Sequence, residues 1–513
     1  MTTVPALAQE FADLQFRRPL SASAGWPLDL SEGRPVPGGS VRAGSSRDDR
    51  EPPAPAPAPA AAVPPAPAPA VPPAPAVPGR ELVGDLFLAL LAGGLGVTLG
   101  LGIVAESRKA LAAPAGVTTA AARLSGLAAA YLLLAMVLIM ARIPVVEKAV
   151  GQIRLARWHR RIGGWPIGLA AMHAVLVTAA IAVTSKDGFL ATLIRLQTSY
   201  PDVLAATVGF ALLTMAGVSS YRRLRRKVRY ETWWAMHLYI YLALVLSFPH
   251  EMLGSTFAAH PLTEAWWAVI WSATLGLVLI YRVALPLHTS FTHRLRVAWV
   301  CQEVPGVISI VCVGRHLDRL QVDGGQFCQW RFLVRGLWWQ AHPYSISALP
   351  KPPYIRLTVK CLGDHSTDLA RIPVGTRVAI EGPYGSFTRH ACHGNSVALI
   401  GAGVGVTPLR ALLEDLPETV DTSVVLRGPS RREVPLANEF AHLVKKRRGQ
   451  LHQIIGSGRS TRITASLLSG LIPDLAHRDV FVCGPRNFTE AVTRAAHAMG
   501  TPPERIHHET FAF

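Results

Sequence analysis

Four histidines lie within or beside apolar stretches of the sequence, and His159 among them stands next to a cluster of arginines. His159 and His173 lie 14 positions apart, and His237 and His250 lie 13 positions apart. Ionisable side chains are costly at membrane depth and usually serve a function there. Neutral imidazole is a common ligand of haem iron, and 14 residues of helix rise about 21 Å and return to within about 40° of the same face. Two histidines on one helix therefore suit two planar macrocycles stacked at different depths.

The two histidine-bearing segments run in the same direction across the predicted membrane, and this direction decides the pairing. We expect His159 to face His237 near the cytoplasmic side and His173 to face His250 near the outer side, each pair holding one haem iron. Thirteen residues turn an ideal helix by about 220°, so we expect Pro249 to kink the helix before His250. For any one histidine, an interhelical hydrogen bond is the competing interpretation; the four together favour haem ligation.

The chain has six apolar segments, and the third and the fifth include or flank these histidines. Each segment approaches the roughly 20 residues that a helix needs to cross a bilayer. They are predicted at residues 82–105, 124–140, 162–184, 203–220, 233–248 and 265–285. The loops at 140–162 and 220–231 hold six lysines and arginines each, more than the other loops. The positive-inside rule therefore places these loops and both termini in the cytoplasm. The sequence predicts a multi-pass protein of the plasma (cytoplasmic) membrane whose surroundings are the lipid bilayer.

The composition of the whole chain agrees with a membrane protein. The net charge is +18, yet only 16% of the residues are charged and half are hydrophobic. A nucleic-acid-binding protein would be basic and polar, so we expect no nucleic-acid partner. The six cysteines all occur from Cys301 onward, and they are too few for a disulfide framework. We expect this part of the chain to face a reducing compartment.

Changes in amino-acid composition and in hydrophobic pattern divide the chain into four predicted parts. Residues 1–80 are rich in Pro and Ala, which favours a disordered polyproline II tether; a PxxP ligand is the alternative, and we expect no signal peptide. Residues 81–288 form the six-helix transmembrane α bundle. Residues 289–392 hold short β-type runs between Gly/Pro turns, which predict an antiparallel β-barrel. Residues 393–513 alternate strands with helices, which predicts a parallel α/β domain.

The spacing H-x13-H in the third span and H-x12-H in the fifth, followed by a flavin and nicotinamide module, resembles the NADPH oxidase and ferric reductase superfamily. The part after the spans resembles the ferredoxin–NADP reductase type. The resemblance implies that the cofactors are FAD, two haem b groups and NADPH, with NADH as an alternative. It implies that electrons pass from cytoplasmic NADPH through FAD and the haems to an acceptor on the outer side, which is oxygen, a ferric chelate or a partner protein.

The resemblance also assigns residues to FAD. They are the strand residues His342, Pro343, Tyr344, Ser345, Ile346 and Ser347, the pyrophosphate residues Gly363, Ser366 and Thr367, and the turn residue Gly382. Tyr344 offers a flat face to the isoalloxazine, and the Ser345 hydroxyl can hydrogen-bond the edge of that ring. For each of the three motifs a purely structural interpretation stays open, namely a barrel strand, a helix cap and a tight turn.

A second group of residues is implied to bind the nicotinamide dinucleotide. It comprises Gly401, Gly403, Gly405, Thr407 and Pro408 between a buried strand and a helix, Cys483, Gly484 and Pro485 after another strand, and Arg427, Ser430 and Arg431. Phe513 at the chain end is implied to cover the flavin until nicotinamide displaces it. Glycines let the backbone approach the phosphates. The arginines offer donors to a ribose 2′-phosphate, which favours NADPH over NADH; solvated arginines are the competing interpretation. Ser345, Cys483 and Phe513 are the predicted catalytic residues.

Two other functions stay open at the level of sequence. One is a membrane-anchored NAD(P)H flavin reductase in which the histidines are structural. The other is a non-enzymatic haem membrane protein. The complete set of flavin and nicotinamide motifs favours an NAD(P)H-dependent oxidoreductase of the ferric reductase or NADPH oxidase type.

Overall fold

The structure is a computed structural model, and it describes residues 78–225, 227–228, 230–253, 261–456 and 461–511. The predicted tail up to residue 77 and Phe513 lie outside the described residues. Within the described part, helices come first and two β-sheets follow.

The first part consists of helices formed by the apolar runs and by short basic segments between them. In chain order they are α1 (Pro78–Val104), α2 (Arg108–Ala112), α3 (Gly116–Ile139), α4 (Pro144–Val150), α5 (Gln152–Ile162), α6 (Trp165–Ser185), α7 (Phe189–Ser199), α8 (Pro201–Ser220), α9 (Arg222–Arg225), α10 (Tyr230–Leu253), α11 (Pro261–Val278) and, after a π-helical turn at Leu279–Ala284, α12 (Leu285–His293). The most extensive helix contacts join α8 to α10 and α3 to α6.

Five helical segments of the described residues are long and apolar enough to cross a membrane. They are Leu82–Val104, Gly116–Ile139, Arg154–Ser185, Pro201–Ser220 and Pro261–His293. The predicted fifth span corresponds to α10, which has 24 residues and is not among the five. Its two histidines and Glu251 lower its mean hydropathy. Five candidate spans in the described chain therefore stand against the six that the sequence predicts.

The predicted third span is divided between its two histidines. His159 lies in α5 and His173 lies in α6, and a turn at Gly163 and Gly164 separates these helices. Both glycines keep right-handed helical dihedral angles, so the two helices follow each other closely and count together as one candidate span.

Two sheets of different type form the second part. The first sheet holds β1 (Arg296–Val304), β2 (Val307–Val313), β3 (Phe327–Phe332), β4 (His342–Lys351), β5 (Tyr354–Lys360) and β6 (Val378–Tyr384), all antiparallel, in the order β1-β2-β5-β4-β3-β6. The amide of Val378 donates to the carbonyl of Leu295 at 2.9 Å, and the amide of Val297 donates to the carbonyl of Thr376 at 2.9 Å. These bonds connect the two edges of the sheet.

The second sheet is parallel and has helices on both faces. It holds β7 (Ser396–Ala402), β8 (Asp421–Gly428), β9 (Gln450–Ile455), β10 (Asp479–Pro485) and β11 (Ile506–Phe511) in the order β11-β10-β7-β8-β9. The helices of this part are α13 (Asp364–Asp368), α14 (Val406–Asp415), α15 (Ala437–Lys446), α16 (Ala465–Leu471) and α17 (Arg486–Ala498). Alternate residues of β7 belong to different core clusters, Val397 with Leu399 on one face and Ala398 with Ile400 on the other, because successive side chains of a strand point to opposite faces.

The predicted order of a helical part, an antiparallel sheet and a parallel α/β sheet is therefore confirmed.

Candidate functional site

The four histidines of the apolar segments lie in two facing pairs. His159 of α5 faces His237 of α10 with ring centroids 6.1 Å apart, and His173 of α6 faces His250 of α10, also at 6.1 Å. An iron held from opposite sides by two imidazoles, with iron–nitrogen distances of about 2 Å, separates the ring centres by about 6 Å. The structure thus brings together the predicted partners, at a spacing that fits one six-coordinate iron in each pair.

Hydrogen bonds orient both rings of the outer pair. Nδ1 of His173 lies 2.8 Å from the carbonyl oxygen of Ala122, and Nδ1 of His250 lies 3.1 Å from Oδ2 of Asp202. When Nδ1 carries the proton and donates it, Nε2 is left as the nitrogen that can ligate a metal. Gly126 of α3 makes room for this arrangement, because a Cβ there would lie 2.7 Å from Nδ1 of His173.

The inner pair has a different environment. Among the described residues, the buried Nδ1 atoms of His159 and His237 have no hydrogen-bond partner. Trp233 stacks on His237 with ring centroids 5.2 Å apart, and the Arg225 guanidinium lies 4.6 Å from the Trp233 ring centre. The ring spacing of this pair equals the 6.1 Å of the outer pair and also fits a haem iron.

The region between the two pairs contains small side chains on α10. Ala243 is buried, and its carbonyl lies 2.9 Å from where a Cβ of Gly209 would be. The neighbouring Tyr239 and Tyr241 are exposed. Pro249 lies inside α10, where it lacks the amide of a regular helix.

The predicted flavin strand is β4. Ser345 is 4% exposed, and its buried hydroxyl has no hydrogen-bond partner among the described residues, which fits a residue that hydrogen-bonds a ligand. Tyr344 packs against the core of the antiparallel sheet and stacks on His342 with centroids 6.1 Å apart. Burial raises the pKa of Tyr344 well above its usual range. The Trp330 indole donates to the carbonyl of Tyr344 at 2.9 Å, so the strand is held firmly.

The predicted pyrophosphate residues form a small capped turn at α13. The Ser366 hydroxyl accepts hydrogen bonds from the amides of Leu362 and Gly363, at 2.9 and 3.1 Å. The amide of Thr367 donates to the carbonyl of Gly363 at 2.9 Å. The hydroxyl of Ser366 is thus used within the turn.

The nicotinamide motifs meet where β7 and β10 end. A 3-10 turn at Gly403–Gly405 leads from β7 into α14. A Cβ on Gly405 would lie 2.4 Å from the carbonyl oxygen of Cys483, so only glycine permits this approach of the two turns. Thr407, in the first turn of α14, is 1% exposed and its hydroxyl has no hydrogen-bond partner. Burial raises the pKa of the Cys483 thiol well above its usual value, so this cysteine is a neutral thiol at neutral pH.

Glu509 is a site residue that the sequence did not single out. It pairs with Cys483 between the parallel strands β10 and β11, and its Oε1 lies 3.6 Å from where a Cβ of Gly385 would be. Burial raises the pKa of Glu509 to about 8. The carboxyl therefore lies between the nicotinamide strand and the turn that follows Gly382. The sequence carries little signal for Glu509, because its neighbours Cys483 and Gly385 are distant from it in the chain.

The residues predicted to recognise a 2′-phosphate make local contacts. Arg427 donates to the carbonyl of Thr461 at 2.6 Å, and the Ser430 hydroxyl donates to Glu433 at 2.7 Å. Arg431 lies in the 3-10 turn that follows Ser430 and is exposed. Arg427 lies near the end of β8, and Ser430 and Arg431 follow that strand. All three lie at the carboxyl ends of the parallel strands, as does the glycine-rich turn.

Buried charges join the two sheets, and the sequence did not predict them. Arg356 of β5 donates to both carboxylate oxygens of Glu439 in α15, at 2.7 and 2.8 Å, and Nε of Arg410 lies 2.6 Å from the same carboxylate. Burial would raise the pKa of Glu439, but the two arginines outweigh burial and hold that pKa below its usual value. This cluster fixes α15 of the parallel sheet against the antiparallel sheet.

Polar and aromatic contacts dock the antiparallel sheet on the helices. Nη1 of Arg282 lies 2.6 Å from Oε1 of Glu381, and the Tyr384 hydroxyl donates to that oxygen at 2.8 Å. The Arg142 guanidinium lies 4.4 Å from the Tyr384 ring centre. Arg142 belongs to one of the two loops rich in basic residues. The turn after Gly382 therefore contacts the side of the helices that carries this basic loop.

Two parts of the chain match known families. Residues 125–248 match the family described as ferric reductase like transmembrane component, and residues 307–388 match the FAD-binding domain family. The chain joins a ferric reductase-like membrane component to an FAD-binding domain. This combination matches the NADPH oxidase and ferric reductase superfamily, so the resemblance predicted from the sequence is confirmed. Both the matched component and the apolar helices identify an integral membrane protein.

Individual relatives of this ferric reductase-like chain cover parts of it. Flavohemoprotein A of Dictyostelium discoideum is 28% identical over 186 residues, which are 33% of this chain and 46% of that protein. The NADH oxidoreductase HCR of Escherichia coli K12 is 31% identical over 221 residues, 40% of this chain and 65% of that protein. The chain spans between about half and two thirds of the length of the curated relatives it matches. The FAD/NAD binding domain of a nitric oxide dioxygenase from Vibrio cholerae is 25% identical, with a TM-score of 0.38, and covers 42% of this chain and 98% of that one.

Proposed function

We propose that this protein is a transmembrane oxidoreductase that passes electrons from cytoplasmic NADPH, by way of FAD and two b-type haems, to an acceptor on the outer side of the plasma membrane. Oxygen and a ferric chelate are the proposed acceptors. The observation that supports the proposal is the pair of facing histidine couples, His159 with His237 and His173 with His250, each with ring centroids 6.1 Å apart. Bound flavin and haem would supply the carriers that convert a two-electron donor into single-electron steps.

The chain's own residues would hold and orient these carriers. Each pair of histidines would ligate one iron, and hydrogen bonds to Ala122 and Asp202 would orient the rings of His173 and His250. In the flavin domain, the buried hydroxyl of Ser345 would hydrogen-bond the edge of the flavin ring, and Thr407 would contact the nucleotide at the glycine-rich turn. Glu509, whose pKa burial raises to about 8, would be protonated at neutral pH and would hold that proton near Gly385.

Docking contacts support the proposed orientation. Arg142 of a basic loop contacts Tyr384 of the flavin sheet, and positive loops stay in the cytoplasm. The two sheets and the chain termini would then face the cytoplasm, where NADPH is available. We propose that α10, the predicted fifth span, also crosses the membrane and brings the number of spans to six, because His237 and His250 on it face His159 and His173. We also propose that the antiparallel sheet closes as a barrel over residues 289–392, supported by the edge bonds of Leu295 and Val297.

The test uses the full chain in lipid nanodiscs, loaded with haem and FAD. Wild type is expected to hold about two low-spin b-type haems per chain, and NADPH should bleach the flavin and then reduce both haems. His173→Leu should lose the outer haem and His159→Leu the inner one. The matched control is His288→Leu, because His288 is exposed on α12, and it should keep both haems.

The outcomes separate the competing functions. Two haems retained in both His159→Leu and His173→Leu would contradict the proposal. Flavin reduction without any haem band indicates a membrane-anchored flavin reductase, and haem binding without flavin indicates a non-enzymatic haem protein. Superoxide and ferrous-iron assays on the outer face of vesicles then identify the acceptor.

A further inference from the structure

Three groups that commonly ligate metals meet at the edge of the parallel sheet remote from the nicotinamide motifs. Asp479 is the first residue of β10, and His507 is the second residue of β11. His393 lies in the segment between β6 and β7, which connects the two sheets. The motif around Cys483 lies at the other end of β10, and seven strand residues span about 20 Å. The cluster is therefore separate from the cofactor edge.

The ligand atoms of this cluster converge. Nδ1 of His393 lies 3.2 Å from Oδ1 of Asp479, and Nε2 of His507 lies 3.8 Å from the same oxygen. All three ligand atoms lie within 4.8 Å of one another. The two imidazole rings are parallel, with an interplanar angle of 5° and centroids 6.0 Å apart. In a tetrahedral zinc site with bonds of about 2 Å, ligand atoms lie about 3.3 Å apart, so a small rotation of His507 completes the geometry.

Hydrogen bonds and aromatic packing fix the positions of these side chains. The Asp479 side chain is fully buried, and its Oδ2 accepts hydrogen bonds from the amides of His393 and Gly394, each at 2.9 Å. These bonds fix the carboxylate and leave Oδ1 directed at the two rings. Nε2 of His507 is buried and has no hydrogen-bond partner within the part of the chain that the structure describes. Phe481 packs on the His507 ring with centroids 4.6 Å apart, which limits the ring to small movements.

We propose that His393, Asp479 and His507 form a binding site for a divalent transition-metal ion of the zinc class. Two imidazoles and one carboxylate are a ligand set that zinc accepts, with water in the fourth position. Both histidines are only partly buried, so an ion can reach them from solvent. The bound ion would tie the connecting segment at His393 to strands β10 and β11, and so would restrain the parallel sheet against the rest of the chain.

The binding test uses the haem- and FAD-loaded full chain in nanodiscs, purified without a polyhistidine tag and treated with EDTA. Zn²⁺ is added, unbound ion is removed by gel filtration, and zinc per chain is measured by inductively coupled plasma mass spectrometry. After gel filtration, His507→Ala and His393→Ala should each retain one zinc ion per chain fewer than wild type does, because loss of one ligand should weaken the affinity for zinc at least about tenfold. The matched control is His390→Ala, because His390 lies 3.3 Å from Asp323 without a third ligand.

Two results would overturn the site: wild type and His507→Ala binding equal zinc, or His390→Ala losing as much zinc as His507→Ala. FAD content verifies that the variants are folded, and Asp479 is left intact because it bonds two backbone amides. A second measurement follows the midpoint temperature of FAD release. Zn²⁺ should raise that midpoint in wild type and in His390→Ala but not in His507→Ala, and an equal rise in all three would also contradict the proposal.

Discussion

Replacing Gly126 by alanine should disturb the outer haem site and leave the inner one intact. Gly126 lies on α3, and the added Cβ would lie 2.7 Å from Nδ1 and 3.1 Å from Cε1 of His173. Ordinary contact begins near 3.4 Å, so the ring must retreat by about 0.7 Å. That movement also stretches the 2.8 Å contact between His173 and Ala122.

The cost follows from overpacking of a tightly packed site. Forcing one methyl group into a packed site typically costs about 1–3 kcal/mol. If the strain is relieved when His173 leaves the iron, the outer haem binds about 5-fold to about 140-fold more weakly, since about 1.4 kcal/mol corresponds to a factor of ten. The inner pair, His159 and His237, does not touch Gly126 within the described residues and should keep its affinity.

Transfer of haem to excess apomyoglobin measures this effect. Wild type should show two slow phases, and Gly126→Ala should show one phase accelerated by about 5-fold to about 140-fold, in line with the overpacking cost. Gly168→Ala is the matched control, because Gly168 lies on the helix of His173 and has nothing within 4 Å of an added Cβ. Unchanged transfer in Gly126→Ala, or equal acceleration in Gly168→Ala, would refute the reasoning.

Two further substitutions address the cytoplasmic sheets. Glu509→Gln should remove an ionisation near pH 8 from the pH profile of NADPH-dependent flavin reduction in stopped-flow traces. Because the pKa of Glu509 is raised in the folded state, the stability of wild type should also fall relative to that of the variant as pH rises towards 8. Parallel pH profiles of wild type and variant would contradict this prediction. Glu439→Gln leaves the buried Arg356 without its carboxylate, while Arg410 keeps its pairing with Glu414; the change should cost about 3 kcal/mol, measured as earlier release of FAD in denaturant. Since the folded pKa of Glu439 is lowered, the difference from wild type should shrink as pH falls through that pKa, and a gap that stays constant would show that charge is not its source.

The histidine pairs were predictable because their signal is local. Each histidine interrupts an apolar run, and the spacing within one helix indicates two depths. The strands β4, β7 and β10 were predictable for a similar reason, since alternating or continuous apolar runs end at glycine and proline. In each of these cases the residues close in sequence already limit the structure.

Other features depend on contacts between distant segments and leave little trace in the sequence. Glu509 is important only because β11 pairs with β10 and meets the turn near Gly385. Arg356 and Glu439 lie 83 residues apart, and the sequence around either residue does not indicate that the other is its partner. The division of the third predicted span at Gly163 and Gly164 was missed because glycine pairs are also tolerated inside membrane helices.

That division gives the two iron-binding positions unequal mechanical freedom. On one side, the single helix α10 carries both His237 and His250, so any tilt of α10 moves both histidines together. On the other side, His159 and His173 belong to separate helices, α5 and α6, which are joined at Gly163 and Gly164. Each of these two helices can adjust its position against its own haem independently of the other. Movement of the helix that carries His159 would then be partly taken up at Gly163 and Gly164 before it reached His173.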